Sequence, residues 1–161
     1  MLYNKFMGWG ALENVRELFQ IMVRRFGFLD KNCCSAGGCE ISLIQSHILY
    51  EIDRRHKPSM QQVAEALGTD ITTFSRQVQT LVKMNLVKKS PDPNDRRVHL
   101  LSLTAEGKYV AAAIDRQMND YLNEVFSHMN DFEKDTVIRS IKLLNEAMAK
   151  SGKCCSATSS G

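Results

Sequence analysis

The segment from residue 59 to residue 103 constrains the fold most, because it predicts two helices and a hairpin with almost no chain between them. Ser59 is a good N-cap for a short helix, "MQQVAEALG", and Gly68 provides the left-handed turn that often ends a helix. The apolar residues of this helix are spaced to face one side: Val63, Ala64 and Leu67. A second helix must then begin at once, with Thr69 or Asp70 as its cap.

The second helix, "ITTFSRQVQTLVKMN", is predicted over residues 71–85 and has two chemically different faces. The apolar residues that helical spacing predicts to be buried are Ile71, Phe74, Val78, Leu81 and Val82. The other residues carry hydrogen-bonding side chains: Thr72, Thr73, Ser75, Arg76, Gln77, Gln79, Thr80 and Lys83. No Asp or Glu occurs in this helix, as is required of a helix that approaches DNA phosphates and base edges.

Residues 86–103 change from helical to strand-like periodicity. "LVKKS" and "RRVHLLSL" surround the turn-rich centre "PDPND", and Arg96 and Arg97 lie beside the predicted hairpin tip. A helix, a turn, a second helix and a basic hairpin in this order predict a winged helix-turn-helix. In such a fold the second helix enters the DNA major groove, and the hairpin, or wing, crosses the phosphates toward the adjacent minor groove.

Amphipathic helices are predicted on both sides of this segment. Helical spacing covers residues 3–29 and 41–52, with a break at residues 30–38. It resumes after Thr104, which is a suitable cap, and a last helix is predicted to start at Asp131. These flanking helices carry more apolar surface than a small winged helix can cover, so we expect them to form a homodimer interface.

The predicted fold class is mainly α with a small β-hairpin wing, that is, a winged helix-turn-helix flanked by long dimerisation helices. We expect one domain over residues 1–161. Its expected parts are dimerisation helices at 3–30 and 104–149, a DNA-binding lobe at 41–103, and a mobile cysteine-containing tail at 150–161.

The charge distribution supports a polyanion as the partner. Residues 54–97 contain nine Lys or Arg against four Asp or Glu, whereas the rest of the chain has twelve against fourteen. A positive surface is therefore expected in that segment, although a merely solvated face is the alternative on charge alone. No stretch of the chain is apolar enough to span a membrane, and the start lacks the order of a secretory signal, so we expect a cytoplasmic protein.

The run "DPNDRRVHLLSLTAEG", residues 92–107, resembles the wing signature of the MarR family of bacterial transcription regulators. That signature is an Asp, an Arg two places on, alternating apolar residues, then Thr and Gly. The resemblance implies that Asp95 orients Arg97, which enters the minor groove, with Arg96 beside them. "LVKMNLVKKS" is similar to the end of the family's recognition helix, except that Asn85 stands where the family usually has Gly; Asn tolerates the left-handed turn.

The expected partners are double-stranded DNA and a second copy of the chain, and no membrane. Two-fold symmetry implies a near-palindromic site with half-sites about one helical turn, ~34 Å, apart. The residues expected in the major groove are Thr72, Thr73, Ser75, Arg76, Gln77 and Thr80. Those expected at the wing and the DNA backbone are Lys83, Lys88, Lys89, Asp95, Arg96 and Arg97. Repression is the family default, and activation is the alternative.

Two cysteine clusters, Cys33, Cys34 and Cys39 near the N-terminus and Cys154 and Cys155 near the C-terminus, are candidates for an effector site. An odd number of cysteines in a reducing cytosol does not predict a disulfide framework. Adjacent thiolates suit an arsenite-like metalloid or a soft metal ion, although no cofactor is certain, and zinc usually takes cysteines spaced by two to four residues. The alternatives are a redox switch and unreactive cysteines with an unrelated small-molecule effector.

The sequence does not favour an enzyme. It has no Cys-x-x-Cys that opens a helix after a strand, no nucleophile elbow, no P-loop and no His-Glu-x-x-His. A thiol-rich metal chaperone is a further alternative that accounts for the cysteines, but it leaves the predicted wing unexplained.

Overall fold

The structure, a computed structural model, describes residues 14–27, 32–36 and 38–151. Side chains are described for 14–27 and 38–151, and only the backbone is described for 32–36. Its elements in chain order are α1 (Val15–Arg25), β1 (Asn32–Ala36), β2 (Cys39–Ser42), α2 (Leu43–Arg54), α3 (Met60–Leu67), α4 (Ile71–Lys83), β3 (Val87–Pro91), β4 (His99–Leu103), α5 (Ala105–Ser127) and α6 (Asp131–Ser151). The chain divides into two compact units, Met1–Asp115 and Arg116–Gly161. The predicted mainly α fold with a small hairpin wing is confirmed.

Side-chain caps fix where α2, α3 and α4 begin. Ser42 and Gln45 form a reciprocal capping box at the start of α2, and Ser59 and Gln62 form the same box at the start of α3. The carboxylate of Asp70 accepts a hydrogen bond from the Thr73 amide at the start of α4. The caps predicted at Ser59 and Asp70 are therefore confirmed.

The core of the first unit lies where β2, α2, α3, α4, the β3–β4 pair and the start of α5 meet. Its fully buried side chains are Ile41, Ile48, Leu49, Val63, Phe74, Val78, Leu81, Leu86, Val87, Leu101 and Val110. The predicted burial of Ile71 and Val82 is wrong, because they are 45% and 40% exposed. At 3.6 residues per turn both lie roughly 60–80° from the centre of the Phe74 stripe, which places them at its edge.

The predicted wing is present as the antiparallel pair β3 and β4. The register runs from Val87 opposite Leu103 to Pro91 opposite His99. β4 is also tied to the segment before α3, because the Leu101 amide donates to the Pro58 carbonyl over 2.8 Å. The wing is therefore fastened at its base to the helix-turn-helix.

The first hairpin in the chain, β1 with β2, occupies the segment predicted only as a break between helices. Cys34 pairs with Ile41 and Ala36 pairs with Cys39, around a turn in which Gly38 has a φ of +79°. The small residues of "NCCSAGGCE" do not alternate between apolar and polar, so the spacing of apolar residues did not predict strands here. As a result α2 begins at Leu43, two residues later than predicted.

The predicted first helix over residues 3–29 is observed as α1 within the described residues. Residues 3–13 and 28–29 of that prediction lie outside them, as do residues 152–161 of the predicted tail. No residue of α1 is buried, and its exposed apolar side chains are Val15, Leu18, Phe19, Met22 and Phe26.

The second unit contains the end of α5 and the whole of α6. Met118, Leu122 and Val125 of α5 are half-buried. α6 starts with a reciprocal cap between Asn130 and Glu133, and none of its residues is buried. Its exposed apolar residues include Phe132, Ile141, Leu143, Leu144 and Met148. Among the described residues, no helix is both long and apolar enough to cross a membrane.

The end of α4, the base of the wing and the start of α5 meet at Thr104. The Thr104 hydroxyl donates to the Asn85 carbonyl over 2.7 Å and accepts from the Gly107 amide over 2.8 Å, while the Thr104 amide donates to the Leu86 carbonyl over 3.0 Å. A Cβ at Gly107 would lie 1.9 Å from the Leu86 carbonyl oxygen, so only glycine allows this approach. Asn85 has a φ of +58°, which confirms the left-handed turn expected there.

Replacing Gly107 with Ala is expected to lower the free energy of unfolding by about 3 kcal/mol, because the added methyl group forces backbone to move. Urea unfolding measures the change, with Lys108→Ala at the exposed neighbouring position as the control, for which we expect less than about 0.5 kcal/mol. Equal stability of the Gly107→Ala variant and the unchanged protein would show that this contact is not a constraint.

Candidate nucleic-acid interface

The solvent-facing side of α4 is polar, uncharged or positive. Of the residues predicted to enter a major groove, the exposed ones are Thr72, Thr73, Arg76 and Thr80, whereas Ser75 and Gln77 are half-buried. Phe74, Val78 and Leu81 hold the opposite side in the core. The core contacts of α4 therefore determine which side chains a partner can reach.

Several of these polar side chains already have partners within the protein. The Thr80 hydroxyl donates to the Arg76 carbonyl over 3.2 Å, which leaves Thr80 with acceptor capacity only. The hydroxyl and the amide of Thr73 hydrogen-bond to Asp70 and hold the pKa of that carboxyl below its ordinary value. Gln77 accepts a hydrogen bond from Gln45 of α2. Arg76 is the longest exposed donor on this face, and its side chain makes no hydrogen bond with another described residue.

The tip of the wing is built by two carboxylates. One Asp92 oxygen accepts from the Asn94 amide over 2.7 Å, and the Asp92 amide donates to the Val98 carbonyl over 2.9 Å. Asp95 receives two parallel hydrogen bonds from the Arg97 guanidinium, at 3.0 and 3.1 Å, and a third from the Arg97 amide. The pairing expected between Asp95 and Arg97 is thus present, with the Arg97 side chain 90% exposed.

The same hydrogen bonds change the acidity of both groups. The Arg97 side chain, and secondly its amide, hold the pKa of Asp95 below its ordinary value of 3.8, and Asp95 raises the pKa of Arg97. Because the pKa of Asp95 is lowered, the ion pair is complete above pH 3.8 and is lost only as the pH falls through the lowered value. Both charges of this pair are therefore present throughout the neutral range.

α4 and the wing carry several exposed cations that have no carboxylate partner among the described residues. In the described part of the chain, no carboxylate forms an ion pair with a group of five exposed cations: Arg76, Lys83, Lys88, Lys89 and Arg96. Arg54 and Arg55 differ, because both bind Glu51 of α2, at 3.2 and 2.7 Å. The positive surface therefore lies nearer the wing than the charge count from residue 54 suggested.

The cysteine sites are described only in part. Cys39 is free and half-buried, while the side chains of Cys33 and Cys34, and all of Cys154 and Cys155, lie outside the described residues. Among the side chains that the structure does describe, no group of three or more His, Cys, Asp or Glu residues could hold a metal ion.

Sequence reasoning missed one residue that lies behind this candidate interface, Gln45. It is 8% exposed, it completes the cap of α2, and it contacts Gln77 of α4 over 3.3 Å. A Gln three residues after Ser42 is a capping signal in the sequence, but the contact with α4 spans 32 residues and depends on how the helices pack.

Known proteins match the elements that form this surface. The model of the MarR family matches residues 41–99, which include α2, α3, α4 and the tip of the wing. YxaD of Bacillus subtilis, an uncharacterised HTH-type transcriptional regulator, is 26% identical over 125 residues, or 78% of this chain and 86% of YxaD. The HTH-type transcriptional regulator PapX of Escherichia coli is 26% identical over 94 residues, or 58% of this chain and 57% of PapX.

Solved structures share the fold at lower identity. FabT of Streptococcus pneumoniae in complex with DNA has a TM-score of 0.75 and 17% identity, over 86% of this chain and 96% of FabT. A MarR transcriptional regulator from Methanosarcina mazei has a TM-score of 0.74 and 20% identity, over 87% of this chain and 100% of that regulator. The S. aureus MepR–DNA complex has a TM-score of 0.72 and 16% identity, over 85% and 100%.

The structures establish the winged helix-turn-helix fold, and the family match covers the segment that carries the wing signature. The resemblance seen in the sequence is therefore confirmed over residues 41–99, where the chain matches the model of the MarR family.

Proposed function

We propose that this protein is a sequence-specific DNA-binding transcriptional repressor that a thiol-reactive signal at its cysteine clusters releases from DNA. The observation that carries the DNA-binding part is the pairing of an acid-free exposed face on α4 with a wing whose arginine is held by Asp95. Both features suit a polyanion that is read through its grooves.

In this proposal α4 enters the major groove and the wing reaches the minor groove. Arg76 reads base edges together with the neighbouring exposed threonines, because an arginine can donate two hydrogen bonds to a guanine. Lys83, Lys88 and Lys89 bind phosphates, which adds affinity without sequence preference. Arg97 enters the minor groove. Because its pair with Asp95 already orders the side chain, less conformational entropy is lost when it binds DNA. FabT and MepR, which share the fold, were both solved with DNA, and this supports the proposal.

The DNA-binding form is a homodimer. α1 and α6 expose large apolar side chains in the single chain, among them Phe19, Met22, Ile141 and Leu144. A second copy that covers them removes this surface from water, and its two-fold symmetry places two recognition helices on a near-palindromic site. The parts of the chain keep the roles expected from the sequence, with the lobe at 41–103 for DNA and the outer helices for the dimer.

The signal acts through the first hairpin. β1 carries Cys33 and Cys34, and β2 begins at Cys39. In the backbone register, only the Ser35–Glu40 pair lies between the Cys34–Ile41 pair and the Ala36–Cys39 pair. Because β2 runs directly into α2 at Ser42, a ligand that alters the hairpin also acts on the helix-turn-helix. An arsenite-like metalloid or a soft metal ion fits thiolates at this spacing, with Cys154 and Cys155 as further ligands.

A thiol redox switch and an unrelated small-molecule effector are the alternatives within the same class of protein. A thiol-rich metal chaperone or a thiol enzyme is the alternative from another class, and it gives no role to the Asp95–Arg97 pair or to the unpaired cations of the wing. The repressor accounts for both the wing and the cysteines.

The DNA-reading role is tested with duplexes selected by the unchanged protein from random sequence. Arg76→Ala is expected to cost about 1–3 kcal/mol on the selected duplex and to relax its sequence preference, because a base contact is lost. Lys88→Ala is the matched control: it should weaken binding to selected and random duplexes alike and reduce the salt dependence. Equal losses on both duplexes for Arg76→Ala would refute the base-reading role.

The dimer is tested by sedimentation at micromolar concentration, where a mass of twice 18.2 kDa is expected. Ile141→Glu places a charge in the apolar face of α6 and should give monomers and weaker DNA binding. Arg139→Glu changes an exposed residue on the opposite side of the helix and should leave the dimer intact. A monomeric unchanged protein contradicts this part of the proposal.

The signal is tested by measuring DNA release with arsenite, zinc, copper(I) and peroxide in separate reactions under otherwise reducing conditions. Release by arsenite or a soft metal ion is expected, and it should be lost when Cys33, Cys34 and Cys39 are all changed to Ser. Release by peroxide alone supports the redox alternative instead. Indifference to all four reagents rejects the cysteine signal and favours an unrelated effector.

A further inference from the structure

A buried side-chain amide connects the start of α2 to the recognition face of α4. Gln45 is 8% exposed, and its amide makes hydrogen bonds at both ends. Its Oε1 accepts from the Ser42 backbone amide over 3.1 Å, and its Nε2 donates to Oε1 of Gln77 over 3.3 Å. The three residues form one chain of hydrogen bonds that ends on a residue expected in the major groove.

Donor and acceptor chemistry fixes the orientation of both amides in this chain. A backbone N–H can only donate, so the atom of Gln45 that faces Ser42 must be the carbonyl oxygen. The NH₂ group of Gln45 must then face Gln77, and because it can only donate, the atom that it meets must be the oxygen of Gln77. The NH₂ group of Gln77 is left on the side that Gln45 does not occupy.

Gln77 lies at the border between the core side and the exposed side of α4. It is half-buried, and it is one helical turn from Thr73 and Thr80, both exposed. A glutamine that is free to rotate can offer either its oxygen or its NH₂ group to a base edge, whereas Gln77 held by Gln45 offers the donor. Donors on a recognition helix match acceptor atoms such as guanine O6 and N7 or thymine O4.

We propose that Gln45 is a positioning residue for DNA sequence preference: it orients Gln77 so that the Gln77 NH₂ group donates to an acceptor atom of one base in each half-site. This inference rests on the proposed DNA-binding function, and it adds a specificity determinant that does not touch DNA. Burial of Gln45 protects the hydrogen bond to Gln77 from competition by water.

The substitution Gln45→Glu tests this orientation directly. Glutamate keeps an oxygen for the Ser42 amide, since Glu and Gln serve equally in a capping box. Its other oxygen is an acceptor, so Gln77 must turn its NH₂ group toward residue 45 and its own oxygen toward DNA. The group offered to the base then changes from a donor to an acceptor, and the preferred base should change toward one with an amino donor, adenine or cytosine.

The chain provides a matched control in α3. Gln62 completes the capping box with Ser59 as Gln45 does with Ser42, but it is exposed, and no hydrogen bond from its side chain to α4 occurs among the described residues. Gln62→Glu therefore makes the same chemical change at the same helix position and should leave the base preference unaltered.

The experiment selects binding sites from random duplexes for the full-length unchanged protein and for four variants: Gln77→Ala, Gln45→Glu, Gln45→Met and Gln62→Glu. Gln77→Ala identifies the base pair that Gln77 reads, where a preference of about tenfold should be lost. Gln45→Glu should change the preferred base at that pair and nowhere else, and Gln45→Met, which has similar volume but no donor, should flatten the preference there. Thermal unfolding is measured in parallel.

The inference is overturned if Gln45→Glu keeps the same base preference at that pair, or if Gln77→Ala changes the preference at no pair. Either result leaves the proposed function standing. If Gln45→Glu does not fold, Gln45→Met decides: loss of preference at the single pair supports the inference, and a retained preference overturns it. Selection of no sequence by the unchanged protein would overturn the proposed function and this inference with it.

Discussion

The approach of α5 to the Leu86 carbonyl is the contact on which the geometry of the first unit depends. This carbonyl lies directly before the first strand of the wing, and it accepts a hydrogen bond from Thr104, which directly follows the second strand. Gly107 allows α5 to start at this point, because any larger residue would collide with the same oxygen. The end of α4, both strands of the wing and α5 are thereby joined in one place, so the wing and α4 keep their relative position.

Local signals in the sequence predicted the order of elements in the first unit. Ser59, Asp70 and Gly68 act within a few residues of themselves, and a cap or a left-handed turn needs no knowledge of the rest of the fold. The Asp95–Arg97 pair followed from the family resemblance, and it too is a contact between near neighbours. Predictions of this kind succeed because the interaction and its sequence signal have the same short range.

The sequence predictions that were wrong or incomplete concern features that depend on packing rather than on a local signal. Ile71 and Val82 are apolar and correctly spaced, but the core of this unit is narrow enough that the stripe through Phe74 fills it. The β1–β2 hairpin consists of small residues without alternation, so nothing in its period distinguishes it from a loop. The Gln45–Gln77 contact joins residues on different helices, and only the packed structure brings the two amides together.

Ser42 is at once the last residue of the cysteine-bearing hairpin and the cap of α2. This shared residue has a thermodynamic consequence for any ligand of the hairpin. If ligand binding to the hairpin lowers the affinity for DNA by some factor, binding of DNA must lower the affinity for that ligand by the same factor, because the coupling free energy is reciprocal. The DNA-bound fraction of the protein thus takes up ligand less readily than the free fraction, and the ligand concentration that triggers release rises with the concentration of DNA sites.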